Sequence, residues 1–223
     1  MTASSETLVS DLERRFDTTS DRVPVGDREF EVMRPRNSDD LITEEDYVRD
    51  ERLPYWADIW PSCLILGARL LEEEGKGQSL LELGCGVGIV TLAAISAGYE
   101  VVATDYYEDA LLFTRANSWR AFGTEPRTMY ADWRTWPTFE EPFDRIVAAD
   151  VLYEHAYAPA VASILEATLA RGGSAIVADP GRVAADEFLI ECGKRGFSVK
   201  TESRPYEAGE IRQTINLHTV SWG

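Results

Sequence analysis

Apolar stretches of strand length alternate with longer helical segments from residue 78 onward, and this alternation constrains the fold more than any other feature of the chain. The strand-like stretches lie at 78–84, 99–105, 126–132, 143–150 and 174–180. Segments with helical periodicity follow four of them, at 87–98, 108–123, 157–173 and 182–196. Strands that alternate with helices form βαβ units, in which helices cover both faces of a mostly parallel sheet. The sequence therefore predicts an α/β fold.

The last two predicted strands break this alternation. Residues 197–204 and 212–222 have strand character, and only the loop at 205–210 separates them. A connection that short joins antiparallel neighbours, because a parallel pair needs a longer crossover. We predict a Rossmann-like, seven-stranded and mostly parallel sheet with an antiparallel C-terminal strand pair and helices on both faces.

Residues 1–52 precede this pattern and are predicted to be an N-terminal extension to a domain that spans 53–223. Apolar residues at helical spacing indicate a helix over 6–16, and alternation of apolar and polar residues indicates a hairpin over 22–33. The extension leads directly into the segment before the alternating pattern. We therefore expect its helix and hairpin to cover the face on which a substrate would bind.

The composition is that of an ordinary globular protein. Hydrophobic residues make up 44% of the chain, which is enough for a core. No apolar run approaches the roughly 20 residues that a bilayer requires, and no basic-then-apolar leader is visible. The three cysteines, Cys63, Cys85 and Cys192, are too few and too scattered for a disulfide framework or a zinc site. We predict a cytoplasmic protein with free thiols and no metal.

The chain is strongly acidic. It has 22 Lys and Arg against 39 Asp and Glu, a formal net charge of −17 at pH 7. Repulsion of that size disfavours nucleic-acid phosphates and anionic membranes, and it favours cationic partners or small molecules. We predict no nucleic-acid partner and no membrane partner. An acidic surface that serves solubility alone is the open alternative.

A glycine-rich loop follows the first strand of the alternating pattern, and it reads Gly84-Cys85-Gly86-Val87-Gly88. Glycines let the backbone turn tightly and approach a ligand with no side chain in the way. The dinucleotide fingerprint would require another glycine where Ile89 stands, and no phosphate-loop lysine is present. The loop predicts a nucleoside-type cofactor other than a dinucleotide, although glycines that serve only close packing are an alternative.

Acidic residues at three successive strand ends indicate which cofactor this is. Glu82, just before the glycines, would repel a pyrophosphate but suits an α-ammonium group. Asp105 ends the second strand, where an acid accepts hydrogen bonds from ribose hydroxyls. Asp132 and Trp133 follow the third strand and can hold an adenine ring. An ammonium group, a ribose and an adenine together describe S-adenosyl-L-methionine. Helix capping by the two aspartates is the alternative.

Four motifs carry a family resemblance: LLELGCGVG (80–88), VVATD (101–105), YADW (130–133) and AADVLY (148–153). In this order they resemble the seven-strand S-adenosylmethionine-dependent methyltransferases. Within that class the chain is similar to the family-16 branch, largely protein-lysine methyltransferases. The branch has a tryptophan-bearing segment before the first strand and an Asp-x-x-Tyr motif after the fourth. Here these read PYWADIWPS (54–62) and Asp150-Val-Leu-Tyr153, and an Asp-Pro-Gly-Arg follows the fifth strand (179–182). The resemblance covers roughly residues 53–223.

The tryptophan segment has one predicted site residue. The resemblance places the segment against the cofactor, and we predict that Trp60 is a contact. Trp56 lies four residues earlier, a spacing equally typical of core aromatics. Pro61 and Ser62 close the segment and predict the start of a helix over 62–73, with Ser62 as its N-cap.

Asp150 and Tyr153 are the predicted catalytic residues. Asp150 ends the fourth strand, which the resemblance places beside the methyl group. A carboxylate there can orient an amine, and a lysine must lose a proton before it attacks because its ordinary pKa is about 10.4. Tyr153 would wall the lysine channel or accept part of that hydrogen bonding. Capping of the following helix is the alternative for Asp150.

The resemblance implies a methyltransferase that uses S-adenosyl-L-methionine and acts on a protein lysine. The predicted partner is a protein with an accessible lysine, or a small-molecule amine, and the predicted oligomeric state is a monomer. A small-molecule N- or O-methyltransferase and a non-catalytic binding module of the same fold stay open. A nucleic-acid methyltransferase would carry Asp/Asn-Pro-Pro-Tyr in place of Asp150-Val-Leu-Tyr153.

Overall fold

The structure is a computed structural model, and it describes residues 5–41 and 53–223. The helices of these ranges are α1 (Ser5–Arg15), α2 (Pro61–Leu71), α3 (Ile89–Ser96), α4 (Glu108–Phe122), α5 (Tyr157–Thr168) and α6 (Ala185–Lys194). The strands are β1 (Thr18–Val25), β2 (Arg28–Pro35), β3 (Ser79–Leu83), β4 (Glu100–Asp105), β5 (Arg127–Tyr130), β6 (Phe143–Ala149), β7 (Leu169–Asp179), β8 (Phe197–Ala208) and β9 (Ile211–Trp222). Short 3-10 turns occur at Ser38–Leu41, Tyr55–Ala57 and Trp133–Thr135. None of the helices in the described ranges is both long and apolar enough to cross a membrane.

Seven strands form one sheet in the order β5-β4-β3-β6-β7-β9-β8, while β1 and β2 form a separate hairpin. Strands β5, β4, β3, β6 and β7 are parallel, and β9 is antiparallel to both β7 and β8. The predicted Rossmann-like α/β fold is therefore confirmed, including its antiparallel C-terminal pair. After β3 the chain adds β4 and β5 on one side of that strand, and it then crosses over to add β6 on the other side. The topological switch point thus lies at the carboxyl ends of β3 and β6, where open α/β sheets bind ligands.

The central strands are buried on both faces because side chains alternate along a strand. Leu81 of β3 belongs to the apolar cluster that contains Leu165 of α5 and Phe188 of α6. Its neighbour Leu80 belongs to the opposite cluster, which contains Leu70 of α2. Two helix layers therefore fix the sheet, and with it the positions of the strand ends.

The N-terminal helix and hairpin are present as predicted, and they pack on α4. Asn117 of α4 is buried, and its side chain accepts the N–H of Met33 in β2 at 2.8 Å. The same side chain donates to the carbonyls of Met33 and Val87, each at 2.8 Å. Apolar side chains of the hairpin and of α4 share one cluster, including Phe30 and Phe113. The boundary between extension and domain at residue 52 stays a prediction, and residues 42–52 lie outside the described residues.

The predicted N-cap of α2 is wrong. The helix begins at Pro61 with Trp60 in the N-cap position, and no side chain caps it. Proline favours the first helical position because its missing N–H would have no partner there. Ser62 is consequently inside the helix, where its hydroxyl donates to Asp150 Oδ2 at 3.0 Å.

The predicted end of the helix at 157–173 is also wrong. Residues 169–173 form the first part of β7 instead. Leu169 is buried and pairs with Phe143 of β6. A side chain on Gly173 would lie 2.5 Å from the carbonyl oxygen of Asp144, so the strands meet closely there. Arg-Gly-Gly is a weak helix-forming stretch, and strand pairing prevails.

The loop predicted at 205–210 is shorter than expected. The β8–β9 ladder continues to the pair Ala208 and Ile211, which leaves Gly209 and Glu210 as the turn. Gly209 has a φ of +59°, as two-residue hairpin turns require.

Candidate active site

A cavity of about 830 Å³ opens at the carboxyl edge of the sheet, at the switch point. Its volume lies in the usual range of small-molecule sites, about 300–1,000 Å³. All but one of the predicted site residues line it. These are Trp60, Glu82, Gly84, Cys85, Gly86, Asp105, Asp132, Trp133, Asp150 and Tyr153.

The N-terminal extension does not cover this cavity within the described part of the chain. No residue of 5–41 lines it, since α1 and the hairpin pack on α4. The expectation that the helix and hairpin cover the substrate face is therefore wrong. Residues 42–52 lie outside the described residues.

The glycine loop has a backbone that only glycine adopts without strain. Gly84 and Gly86 have φ values of +72° and +53°. A side chain on Gly86 would lie 2.9 Å from the carbonyl oxygen of Trp56, and one on Gly84 would lie 3.3 Å from Val151. The loop thus contacts the tryptophan segment and the chain after β6 through bare backbone, which leaves its remaining surface to the cavity.

Gly88 differs from the other predicted loop residues because it does not line the cavity. It precedes α3 with a φ of +92°, and a side chain there would lie 3.0 Å from Thr114 Oγ1 of α4. The packing alternative therefore applies to Gly88, and its contact with the cofactor stays a prediction. Thr114 also donates to the carbonyl of Gly86 at 2.9 Å and lies 3.3 Å from Cys85 Sγ. Burial raises the pKa of the Cys85 thiol well above its usual range, which keeps it neutral.

Asp105 connects the end of β4 to the glycine loop. Its Oδ2 accepts the N–H of Gly86 at 2.9 Å, and its Oδ1 accepts the N–H of Tyr107 at 3.0 Å. Each carboxylate oxygen can accept a further hydrogen bond, and the residue lines the cavity. Burial raises the pKa of Asp105, while the two backbone N–H groups oppose that rise. The carboxylate can therefore meet ligand hydroxyls without releasing the loop.

Glu82 lies deeper, with 2% of its surface exposed. It accepts a hydrogen bond from the Thr91 hydroxyl. Burial raises the pKa of Glu82 to about 8, and the nearby charge of Asp105 adds to the rise. A cationic ligand group would stabilise the carboxylate and reverse that effect.

Asp132 and Trp133 follow β5 and line the same cavity as the glycine loop. The Asp132 side chain accepts the N–H of Arg134 at 2.9 Å, so it caps the 3-10 turn at Trp133–Thr135. It also pairs with the Arg134 guanidinium, with the closest N–O distance 2.7 Å. The Trp133 ring meets Tyr157 edge to face with centroids 5.3 Å apart. The capping alternative is thus correct for Asp132, and both residues still line the cavity.

Asp150 is held from two sides. Its Oδ1 accepts Arg182 Nε at 2.6 Å and its Oδ2 accepts Ser62 Oγ at 3.0 Å. Its φ is +60°, a left-handed conformation that aspartate tolerates better than most residues. The capping alternative for Asp150 is wrong, because Ala156 is the N-cap of α5.

A row of aromatic rings lines the cavity next to Asp150. Tyr55 meets Trp60 and Tyr153 edge to face, with centroid distances of 5.9 and 5.4 Å. Tyr153 in turn meets Tyr157 at 5.0 Å. Tyr55 and Tyr153 are 40% and 36% exposed, so a bound group could contact both rings. Burial and the neighbouring Tyr157 raise the pKa of Tyr153, which stays a neutral phenol.

A family described as "Lysine methyltransferase" matches residues 37–194. That range is well over half of the chain, and it contains every residue of the predicted site. The chain belongs to the lysine methyltransferase family. The family prediction made from the motifs is confirmed.

Curated relatives of this family member are themselves protein-lysine methyltransferases by name. The electron transfer flavoprotein beta subunit lysine methyltransferase of Danio rerio is 30% identical over 141 residues, 61% of this chain and 54% of its own. The protein-lysine N-methyltransferase rrg1 of Schizosaccharomyces pombe is 29% identical over 195 residues, 78% of this chain and 62% of its own. The matched regions span about half to three fifths of these relatives.

Solved structures share the fold. The ribosomal protein L11 methylase of Lactobacillus delbrueckii subsp. bulgaricus aligns with a TM-score of 0.57 at 19% identity, over 71% of this chain and 77% of its own. Magnesium protoporphyrin IX methyltransferase of Synechocystis PCC 6803, solved with bound SAM, aligns with a TM-score of 0.57 at 20% identity. The alignment covers 79% of this chain and 94% of that chain. At these identities the likeness concerns the fold alone.

Arg182 and Ser62 are neighbours of Asp150, and their contacts with it were not predicted from the sequence. The signal for Arg182 was the Asp-Pro-Gly-Arg turn, which follows β7 at the same edge of the sheet as Asp150. Asp179 Oδ2 in that turn accepts the N–H groups of Gly181 and Arg182 at 2.6 and 2.9 Å. Ser62 carried no signal, because its pattern matched an N-cap.

Proposed function

We propose that this family member transfers a methyl group from S-adenosyl-L-methionine to the side-chain amine of a protein lysine. The observation that supports this proposal most is that the predicted cofactor-binding and catalytic residues line one cavity. The acids at the carboxyl ends of β3, β4 and β5 line it together with Asp150, which follows β6.

The residues present fit the cofactor. Glu82 offers a buried carboxylate to the ammonium group, Asp105 offers acceptors to the ribose, and Trp133 offers a ring to the adenine. Gly84 and Gly86 leave backbone free to approach it. When bound, S-adenosylmethionine supplies the methyl carbon: the amine lone pair forms the N–C bond, the C–S bond breaks with its electrons left on sulfur, and the proton of the amine leaves to solvent.

Asp150 and Tyr153 provide the acceptor end of the site. Asp150 can accept a hydrogen bond from the amine, because each carboxylate oxygen has room for one partner besides Ser62 or Arg182. Tyr153 and Tyr55 form an apolar wall along which a lysine chain can lie. Orientation of the amine in line with the methyl group accounts for a large share of the rate in such reactions.

The protein substrate is favoured over a small molecule by the opening of the cavity. Two exposed tyrosines, Tyr55 and Tyr153, stand at its edge, and the names of the curated relatives refer to protein lysines. Cytoplasmic location and a monomeric state stay predictions.

Incubation with S-adenosylmethionine labelled on its methyl group and a protein extract tests the proposal. We expect label in protein bands, recovered as methyl-lysine after hydrolysis. Heat-inactivated protein serves as the control. Label confined to small molecules would instead support a small-molecule methyltransferase. Cofactor binding without any transfer would support a non-catalytic binding module.

A further inference from the structure

A fixed positive charge stands beside the carboxylate that would orient the acceptor amine. Arg182 Nε lies 2.6 Å from Asp150 Oδ1, and the Asp150 side chain is 5% exposed. A buried aspartate alone would make this end of the cavity anionic. The ion pair makes it close to neutral before any amine arrives.

Arg182 is held in place by groups that do not depend on a substrate. Asp179 is fully buried and fixes the turn through the N–H groups of Gly181 and Arg182. The guanidinium carbon of Arg182 lies 5.5 Å from the centre of the Trp60 ring, within the range of cation–π contacts. The pair is therefore preorganised on both its acidic and its basic side.

Arg182 also supplies the positive charge at the end of the cavity that contains Asp150, where the acceptor amine would lie. Among the described residues that line the cavity, Arg134 and Arg182 are the basic ones, and Arg134 pairs with Asp132. The titratable lining residues besides these pairs are Tyr55, Asp58, Cys63, Glu82, Cys85, Asp105, Tyr106, Tyr107, Tyr153, Glu154 and Tyr157. None of these is a base, so any positive charge felt by the amine from the protein side of this end comes from Arg182.

A positive charge beside the carboxylate favours the reaction. An isolated carboxylate binds an ammonium tightly and stabilises its protonated form, but only the neutral amine can attack. A neighbouring cation favours the neutral amine, as in enzymes that activate a lysine next to another cationic group. We infer that Arg182 is a positioning residue that offsets the charge of Asp150, so that the carboxylate orients the acceptor amine without trapping it as an ammonium. This inference rests on the proposed function.

Two cofactor analogues test it without knowledge of the acceptor. Sinefungin carries an amine where S-adenosylmethionine carries its sulfonium methyl group, and S-adenosylhomocysteine carries a neutral thioether. The ratio of their dissociation constants therefore reports the charge felt at the methyl position. Calorimetry at pH 7 gives both constants for each variant.

Arg182→Gln should tighten sinefungin relative to S-adenosylhomocysteine by about tenfold, because a unit charge at about 10 Å in an effective dielectric of about 20 has an effect of that size. Arg182→Lys keeps the charge and should leave the ratio within about threefold of the wild type. Arg134→Gln is the matched control, since it removes the other arginine of the cavity. Whatever it does to each affinity, the ratio should stay unchanged.

Asp150→Asn provides a second measurement with the opposite sign. It leaves the charge of Arg182 unbalanced, and sinefungin should weaken relative to S-adenosylhomocysteine by a similar factor. An unchanged ratio in Arg182→Gln would overturn the inference, as would an unchanged ratio in Asp150→Asn or a Lys variant that behaves like the Gln variant. If Arg182→Gln fails to fold, Arg182→Met, which keeps most of the side-chain length without its charge, takes its place with the same expected and overturning results. If the wild type binds neither analogue, the cofactor assignment fails, and the proposed function and this inference fail with it.

Discussion

Glu82 should bind the ammonium group of the cofactor only by giving up a proton. The residue is buried, and its pKa is raised to about 8. At pH 7 about nine tenths of the molecules therefore carry a neutral Glu82. An ammonium group stabilises the carboxylate, so the bound protein holds Glu82 ionised. Binding of S-adenosylhomocysteine at pH 7 should release about 0.9 proton per ligand.

The affinity for S-adenosylhomocysteine should rise as the pH rises, because the ionised fraction of Glu82 rises with it. With a free-protein pKa of about 8, Glu82 is about 1% ionised at pH 6 and about half ionised at pH 8. Because only the ionised form meets the ammonium favourably, the affinity should rise with pH by up to about 50-fold across this interval.

Calorimetry in two buffers that differ in ionisation enthalpy measures the proton release. Glu82→Gln should abolish both the release and the rise of affinity with pH. Asp109→Asn is the matched control, because Asp109 is an acid of α4 that pairs with Arg15 and does not line the cavity. The reasoning is refuted if the wild type releases no proton at pH 7, or if Glu82→Gln releases as much as the wild type.

Three further variants test other contacts. Asp105→Ala removes an acceptor from the cavity and the partner of the Gly86 N–H, and it should weaken S-adenosylmethionine binding by roughly 1–3 kcal/mol in calorimetry; equal affinity would exclude Asp105 from the site. Asp150→Asn keeps a residue that tolerates a φ of +60°, so S-adenosylhomocysteine affinity should stay within about twofold while methyl transfer falls by about 10²-fold or more; near-normal turnover in the labelling assay would make the carboxylate dispensable. Asn117→Ala removes three hydrogen bonds to backbone groups and should lower the free energy of unfolding by about 2–4 kcal/mol in urea titrations; a loss below about 0.5 kcal/mol would mean that the hairpin does not depend on α4.

Much of the fold and of the cavity follows from periodicity. The alternation after residue 78 was enough to predict the parallel sheet, because such strands need a crossover helix and bury both faces. Parallel strands also end at one edge, so acids at or just after their carboxyl ends meet there although they are far apart in the chain. Glu82, Asp105 and Asp150 come together in this way.

Individual side-chain contacts could not be predicted where two local structures were possible or where the contact depends on residues distant in the chain. Ser62 had the pattern of an N-cap, but Pro61 occupies the first helical position and directs the hydroxyl to Asp150. The pairing of Arg182 with Asp150 spans 32 residues and requires the turn that Asp179 builds. Gly88 belongs to a recognisable loop, yet its role depends on how closely α4 approaches.

The contact between Asn117 and Met33 has a consequence for synthesis of the chain. The two residues are 84 positions apart. Ribosomes add about 5–20 residues per second, so at least about 4–17 seconds pass between the synthesis of the hairpin and that of its partner helix. A two-stranded hairpin is at best marginally stable by itself. The apolar side chains of Phe30 and Met33 consequently stay accessible to chaperones on the ribosome until α4 has emerged.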